Sequence, residues 1–240
     1  MLSFIGCSGY YYREWKGQFY PAGLPSTKWL QFYTQHFNSI EINATFYRMP
    51  TLKSLGKWYN DTPEDFAFTV KAPRLFTHYR RMKGIFEEQA KFYDVVFNAL
   101  QDKLRCVLYQ FPATVKYTPE MLEAIMSISN TPVLHAIEFR HASWWNEDVY
   151  AALRAVGMVF VNVSLPGLED VYVPDDSTVY MRFHGKPVLY KSGYGSEGLA
   201  YWAQKITAHP PQQLITYFNN TWFGEAIADA QTFKSLLFAC

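Results

Sequence analysis

The chain has 240 residues, of which 49% are hydrophobic and 18% charged, with 22 Lys and Arg against 21 Asp and Glu. These totals are typical of a soluble globular protein with a large core. A formal net charge of +1 excludes a protein that attracts polyanions through its overall charge, so such a role needs a local basic patch. No apolar run approaches the roughly 20 residues that cross a bilayer, and the start MLSFIGCSGY lacks the basic segment of a signal peptide. We therefore expect a cytoplasmic protein that does not associate with membranes.

Cysteine usage points to the same compartment. Cys7, Cys106 and Cys240 are few, widely spaced and odd in number, which argues against a disulfide framework. We interpret them as small core residues of a protein in a reducing environment.

Eight short apolar runs alternate with segments of helix length. Apolar runs bounded by Gly, Pro or polar residues predict buried strands, whereas residues such as Ser26 and Thr118 predict helix N-termini. The predicted strands span 2–7, 39–43, 66–71, 104–110, 133–140, 158–162, 178–184 and 213–218. The predicted helices span 26–37, 51–60, 84–100, 118–129, 146–156, 198–208 and 223–238.

One segment, 163–176, breaks this alternation. It contains two prolines and no helical period, so irregular chain is predicted to replace the helix after strand six. Eight strands separated by helices predict a parallel sheet, and eight is the number that closes a (β/α)8 barrel of about this length. We therefore predict an α/β fold, a single TIM-like barrel domain over residues 1–240. An open doubly wound sheet is the alternative, although no GxGxxG turn follows strand one to support it.

Polar side chains recur where these apolar strands end. Functional residues of such a barrel gather at the carboxyl ends of its strands, so we predict that these side chains converge on one pocket. The alternative is an ion network whose members satisfy one another without a substrate. Burying so many charges is a poor way to gain stability, which favours a site. The strand-end candidates are Ser8, Glu41, Asn43, Lys71, Gln110, Glu138, Arg140, Asn162, Arg182, His184 and Asn219.

The stretch PVLHAIEFRHASWW, residues 132–145, shows this design most clearly. Its apolar run ends in Glu138, Arg140 and His141, followed by two tryptophans. A carboxylate, a guanidinium and an imidazole within four positions are costly to bury unless they pair or do chemistry. We predict that Arg140, His141 and Trp144 contact a substrate, and that Tyr10, in the aromatic loop after strand one, stacks on a sugar or base.

A basic loop follows strand three. The sequence KAPRLFTHYRRMK, residues 71–83, contains five Lys and Arg residues together with His78, and no acid. On an otherwise neutral protein this is a local positive field, which favours binding of a phosphate or a nucleic-acid backbone near Lys71 and His78. The alternative is a solvated loop whose charges offset nearby acids such as Glu87 and Glu88.

Metal binding has weaker support. Glu41, Glu138, His141 and His184 are acceptable ligand types, but no HExxH, CxxC or paired-His spacing is present. Neighbouring Lys and Arg side chains would also repel a cation. We expect that no cofactor is required, with a divalent metal as the alternative.

Several short motifs run in order along the whole chain. They are GCSGY at 6–10, EIN at 41–43, QFP at 110–112, EFRH at 138–141 and FNN at 218–220. In these motifs the chain resembles the YecE-like family, also called domain of unknown function seventy-two. The resemblance implies a TIM-barrel-like fold, similar to the barrels of sugar isomerases and apurinic endonucleases, and no assigned reaction.

The chain departs from the family pattern at two positions. Tyr10 stands where the family usually has tryptophan, and Asn162 lies where an aspartate is common after strand six. The second departure removes a candidate metal ligand or base.

The leading hypothesis is a hydrolase- or isomerase-like enzyme. It would act on an anionic, phosphate-bearing sugar or nucleic-acid-like substrate at the C-terminal face of the barrel, with carboxylates and an imidazole moving protons and cations holding the anion. The predicted catalytic residues are Glu41, Glu138 and His184. The predicted substrate-binding residues are Ser8, Tyr10, Asn43, Lys71, His78, Gln110, Arg140, His141, Trp144, Arg182 and Asn219.

Two other functions stay open. A non-catalytic binder of nucleic acid or another polyanion would use the basic loop and the tyrosines, and its affinity would fall steeply with salt. A glycoside hydrolase would use Glu41 and Glu138 as its carboxylate pair. The expected partner is a small anionic substrate or phosphate, with nucleic acid as the alternative, and we expect a monomer or weak dimer.

Overall fold

The computed structural model describes residues 1–238, so Cys240 lies outside the described residues. Within that range eight strands form one parallel sheet in the order β1-β8-β7-β6-β5-β4-β3-β2. From β2 to β8, each strand therefore lies beside the strand that follows it in the chain, and β1 lies beside β8. The strands are β1 Leu2–Cys7, β2 Ser39–Ile42, β3 Ala67–Lys71, β4 Leu104–Phe111, β5 Leu134–Phe139, β6 Val159–Ser164, β7 Thr178–Phe183 and β8 Gln213–Phe218.

Helices separate nearly all of these strands. Helix starts follow side-chain caps: the Thr51 hydroxyl accepts from the Ser54 N–H, and Asn146 accepts from the Val149 N–H. The α-helices are α1 Trp29–Tyr33, α2 Ala44–Tyr47, α3 Leu52–Asn60, α4 Phe86–Leu100, α5 Pro119–Met126, α6 Glu147–Ala155, α7 Gly195–Ala208 and α8 Glu225–Phe238. This strand order and alternation confirm the predicted (β/α)8, TIM-like fold.

The segment between β6 and β7 contains no helix within the part of the chain that the structure describes, as predicted. Asn162, in β6, holds this segment through both ends of its amide. Its Oδ1 accepts from the backbone N–H of Val173 at 2.6 Å, and its Nδ2 donates to the Val173 carbonyl at 3.2 Å. Both groups of Asn162 are therefore used to anchor irregular backbone.

The chain divides into two compact units, and residues 1–41 with 162–240 form the first. In this unit β8 pairs with both β1 and β7, and Phe218 lies level with Cys7 on one side and with Phe183 on the other. The rings of Phe183 and Phe218 stack at 4.7 Å, and Phe233 of α8 meets Phe183 edge-on at 5.4 Å. Because the three strands end at the same level, the residues that follow them emerge together.

The second unit comprises residues 42–161. In it β4 pairs with β3 and β5, in a register that sets Gln110 beside Glu138. Behind the sheet lies a buried network in which the Tyr93 hydroxyl contacts His135 Nε2 at 2.7 Å. Burial lowers the pKa of His135 to about 4, so its imidazole is neutral near pH 7.

Two local elements differ from the sequence prediction. Helix α1 ends at Tyr33 rather than near Phe37, because Gln35 and His36 bond to carbonyls three residues back and the Thr34 hydroxyl bonds to Gln31. The basic loop is not wholly irregular. Leu75–Tyr79 forms a π-turn, closed by the Arg80 N–H bonded to the Leu75 carbonyl at 2.9 Å.

Within residues 1–238 no helix is both long and apolar enough to cross a membrane. Cys7 and Cys106 are both buried, as expected for core residues. The prediction that residues 1–240 form one domain stays a prediction.

Candidate functional site

The first unit contains a buried polar cluster centred on Glu41. One carboxylate oxygen, Oε1, accepts from the Ser8 hydroxyl at 2.7 Å and from Nη2 of Arg182. The other oxygen, Oε2, accepts from the Tyr180 hydroxyl at 2.7 Å. All four side chains are fully buried. The end of β1 and strand β7 thus place three donors around one carboxylate of β2.

This arrangement holds a charge in the interior at a high cost in desolvation. A buried ion pair is tolerated when its geometry is good and further hydrogen bonds satisfy the remaining lone pairs. Ser8 and Tyr180 supply such bonds to Glu41, while Arg182 supplies the opposite charge. The result is a carboxylate of fixed orientation.

His184 and Asn219 follow the ends of β7 and β8 in the same unit. Nδ2 of Asn219 lies 3.0 Å from Nδ1 of His184, and Nη1 of Arg182 lies 3.5 Å from its Nε2. Both imidazole nitrogens therefore face protein groups, and the side chain is fully buried. The predicted role of His184 as a proton carrier stays a prediction.

The second unit contains a different cluster, which carries more positive than negative charge. Nε of Arg140 donates to Oε1 of Glu138 at 2.8 Å, and the Glu138 side chain is fully buried while that of Arg140 is 18% exposed. Nζ of Lys71 lies 4.2 Å from the ring centroid of Phe46, within range of a cation–π contact. On the edge of the Phe46 ring lies His78, at 5.0 Å between centroids.

The pKa of His78 indicates the sign of the electrostatic potential in this cluster. Burial, followed by the positive charges of Lys71, Arg140 and Arg74, lowers the pKa of His78 to about 4, and Glu138 opposes the shift. A positive potential therefore surrounds this imidazole even with Glu138 in place. Such a potential is what an anionic group would relieve.

The π-turn explains how His78 comes to lie in this cluster. The single wide turn at Leu75–Tyr79 carries Thr77 and His78, and the Thr77 hydroxyl contacts Nδ1 of His78 at 2.8 Å. The Thr77 side chain is fully buried, so its hydroxyl fixes the orientation of the imidazole from the protein interior. Single π-turns are frequent at functional sites.

Comparison with known proteins identifies the family of the chain. A family model named "Protein of unknown function DUF72" matches residues 4–239. The chain belongs to the DUF72 family. This confirms the YecE-like resemblance that the short motifs carried.

Relatives match the chain over nearly its whole length in one case and over about half of it in another. It is 27% identical over 272 aligned positions to the UPF0759 protein YunF of Bacillus subtilis strain 168, covering 98% of this chain and 95% of YunF. It is 25% identical over 119 residues to the UPF0759 protein YecE of Escherichia coli K12, covering 48% of this chain and 43% of YecE.

Two solved structures of DUF72 proteins share the fold. The crystal structure of a Thermotoga maritima member superposes with a TM-score of 0.88 at 29% identity and covers 99% of both chains. A member from Enterococcus faecalis superposes with a TM-score of 0.81 at 18% identity, covering 98% of this chain and 95% of the other.

Several predicted substrate contacts of this DUF72 chain have structural partners in their own units. Trp144 is fully buried, stacks on Phe139 at 4.0 Å and donates from Nε1 to the Val115 carbonyl at 2.9 Å. Nδ1 of His141 accepts from the Ser143 N–H and caps a short helical turn. These placements favour packing and capping, which are the ordinary roles of such residues.

The remaining predicted contacts lie near strand ends. Ser8 and Gln110 are buried, whereas Tyr10, Asn43 and Asn219 are partly exposed. The structure places part of the predicted site residues in the two clusters just described: Ser8, Glu41, Arg182, His184 and Asn219 in the first unit, and Lys71, His78, Glu138 and Arg140 in the second. Convergence of all of them on one pocket stays a prediction.

Three residues that matter to these clusters were absent from the predicted site. Tyr180 lies in the middle of β7, where the sequence pattern predicts an apolar core residue, yet its hydroxyl donates a hydrogen bond to Glu41. Phe46 and Thr77 lie in short elements without a readable period. Their signal lies in further stretches that share the family resemblance, namely TFY at 45–47, TH at 77–78 and Tyr180.

The structure bears on two of the chemical alternatives. Each carboxylate of the glycosidase pair, Glu41 and Glu138, is bonded to an arginine in its own unit, so neither could donate a proton without leaving that partner. We therefore do not retain the glycosidase alternative. No group of three or more His, Cys, Asp and Glu side chains that could hold a metal occurs among residues 1–238.

Proposed function

We propose that this DUF72 protein is an enzyme that binds a phosphate-bearing substrate through Lys71, His78 and Arg140. The observation that carries the proposal is the grouping of these side chains: Lys71 and His78 both lie against the Phe46 ring, and the positive charges of Lys71 and Arg140 add to burial in lowering the pKa of His78. A phosphate group bound there would contact a lysine, a guanidinium and an imidazole. Its negative charge would favour the protonated, imidazolium form of that imidazole.

The bonded pair Glu138 and Arg140 supports a catalytic role beside the anion. A guanidinium has five N–H donors in a planar fork, so Arg140 can contact an anion while it orients Glu138. A carboxylate held in this way is suited to act as a base that accepts a proton from a substrate hydroxyl. Lys71 would hold the phosphate as a point charge against the Phe46 ring.

Calorimetric titration with inorganic phosphate and with sugar phosphates tests the binding half of the proposal. Lys71→Met keeps the length of the side chain and removes its charge, and we expect phosphate affinity to fall by about 10- to 100-fold, since one charge-assisted hydrogen bond contributes roughly 1.5–3 kcal/mol. Lys83→Met, at an exposed lysine of the same basic loop, is the matched control. Equal loss in both variants, or no binding by the wild type, would remove the proposal.

The catalytic half needs a second variant. Glu138→Gln keeps an acceptor for Arg140 but cannot exchange a proton at physiological pH. We expect it to retain phosphate binding and to lose at least about 100-fold in turnover of phosphate monoesters, phosphodiesters or sugar phosphates, the usual scale of one acid–base group. Unchanged turnover by Glu138→Gln would exclude Glu138 from the chemistry.

A non-catalytic polyanion binder is the second candidate. It is favoured by the exposed cations Arg74, Arg80, Arg81 and Lys83 of the basic loop. This candidate predicts steeply salt-dependent binding with no turnover of any phosphate-bearing compound.

A further inference from the structure

Cations and aromatic rings alternate along the surface of the second unit, next to the proposed phosphate site. The guanidinium carbon of Arg74 lies 5.7 Å from the ring centroid of Tyr47 and 5.2 Å from that of Tyr79. The Phe46 ring meets Tyr47 edge-on at 5.1 Å and meets His78 at 5.0 Å. A continuous layer therefore runs from the anion-binding groups to two surface tyrosines.

These tyrosines are far more exposed than packing would require. The side chain of Tyr47 is 69% exposed and that of Tyr79 is 64% exposed, in a chain that buries most of its aromatic residues. Exposed aromatic rings interleaved with cations are the surface on which bases of single-stranded nucleic acids stack, because every base offers a π-face and every linkage a negative charge. A plain anion could pair with the guanidinium but would not stack on the two rings.

We propose that the substrate of the phosphate site is a single-stranded nucleic-acid segment, whose bases stack on Tyr47 and Tyr79 while a phosphate of its backbone is held by Lys71, His78 and Arg140. The inference rests on the proposed function and names its substrate class. Arg74, between the two tyrosines, would pair with the phosphate that links the stacked bases.

Other exposed residues close in sequence to the two tyrosines are also positively charged. Arg48 follows α2, while Arg80, Arg81 and Lys83 follow the π-turn, and all four are exposed. Arg80 lies 4.0 Å from Glu88, a weak surface pair that a stronger anion could displace. A strand leaving the two tyrosines in either direction would thus meet positive charge.

Fluorescence anisotropy with a short labelled oligothymidylate tests the inference at fixed salt. The variant Tyr47→Leu/Tyr79→Leu removes both rings, and we expect oligothymidylate affinity to fall by about 5- to 150-fold per ring, which corresponds to the roughly 1–3 kcal/mol that base stacking contributes. Both side chains are exposed, so folding is expected to survive, and an unchanged unfolding midpoint verifies this.

The first unit offers a matched control. Tyr201 is 44% exposed and carries Lys205 at 5.5 Å from its ring, which is the same kind of cation–aromatic surface in another place. Tyr201→Leu should leave oligothymidylate affinity unchanged. An equal loss in this control would mean that the effect is not specific to Tyr47 and Tyr79, and the inference would fall.

Inorganic polyphosphate separates the inference from the function on which it rests. Polyphosphate carries the charge without bases, so we expect the double tyrosine variant to bind it as the wild type does, and Lys71→Met to bind it more weakly. If the double variant keeps full oligothymidylate affinity, the base-stacking inference is wrong and the phosphate site stands. If the wild type binds no phosphate or polyphosphate, the proposed function itself is overturned.

Discussion

Arg182 donates a hydrogen bond to Glu41, and both side chains are fully buried. Removing the guanidinium leaves a carboxylate in the interior without its opposite charge. We expect Arg182→Met to lower the free energy of unfolding by about 3–5 kcal/mol in a urea titration. The control is Lys57→Met, which breaks an ion pair with Asp61 whose lysine is 67% exposed, and should cost no more than about 1 kcal/mol.

The double variant Glu41→Gln/Arg182→Met, compared with its two single variants, completes a double-mutant cycle. With the buried charge gone, part of the loss caused by Arg182→Met should return, because the remaining amide can still bond to Ser8 and Tyr180. Strict additivity of the two single changes would mean that the pair does not couple and that our electrostatic account of it is wrong.

The imidazole of His78 provides a direct readout of the proposed phosphate site. Its pKa is lowered to about 4, so in the free protein the ring should titrate far below the ordinary value of 6.5. Bound phosphate would favour the imidazolium and raise this pKa, and at pH 5–6 binding should therefore take up a proton. Proton NMR of the ring, with and without phosphate, measures both values. A titration that phosphate does not move would place the anion elsewhere.

Buried His135 predicts how stability depends on pH. Its pKa is about 4 in the folded protein, against an ordinary value of 6.5, so the unfolded chain binds more protons between these limits. The contribution of His135 to the free energy of unfolding is complete above pH 6.5 and is lost as the pH falls toward 4. It amounts to on the order of 3 kcal/mol in total. His135→Gln should flatten this slope in unfolding experiments. Comparison at pH 8, where the histidine is neutral in both states, isolates the packing cost of the substitution.

Trp144 tests whether a predicted substrate contact is a packing residue. Its ring stacks on Phe139 at 4.0 Å and its Nε1 donates to the Val115 carbonyl. We expect Trp144→Phe to cost about 1–3 kcal/mol of stability and to leave phosphate affinity unchanged. Trp222→Phe, at a ring that is 46% exposed, should change stability by no more than about 0.5 kcal/mol. A loss of phosphate binding without loss of stability would restore Trp144 to the binding site.

Asn162 tests the anchoring of the irregular segment after β6. Asn162→Asp would keep an acceptor for the Val173 N–H but turn the donor that serves the Val173 carbonyl into an oxygen. Two oxygens would then face each other in a buried place, and we expect a loss of about 1–3 kcal/mol. Limited proteolysis should cut residues 163–176 sooner in this variant. Equal cleavage rates would argue that other contacts hold the segment.

The strands could be predicted from the sequence because a buried parallel strand is a continuous apolar run, and β1 and β8 match the predicted bounds. Strand-end chemistry could be predicted only in part. A polar residue at a strand end serves equally well as a ligand contact or as an anchor, and Asn162 and His141 are bonded as anchor and cap. The π-turn has no sequence period of its own, so the position of His78 could not be derived from the pattern.

The pairing of β1 with β8 has a consequence for how the chain is made. Leu2 to Cys7 find their partners only at Gln213 to Phe218, so the first strand leaves the ribosome long before its neighbour is synthesised. Residues 42–161, by contrast, contain all the segments of their own compact unit. During translation the second unit can gain its contacts early, while β1 has no strand partner until residues 213–218 have been made. Of these two segments, β1 therefore depends longer on chaperones for protection.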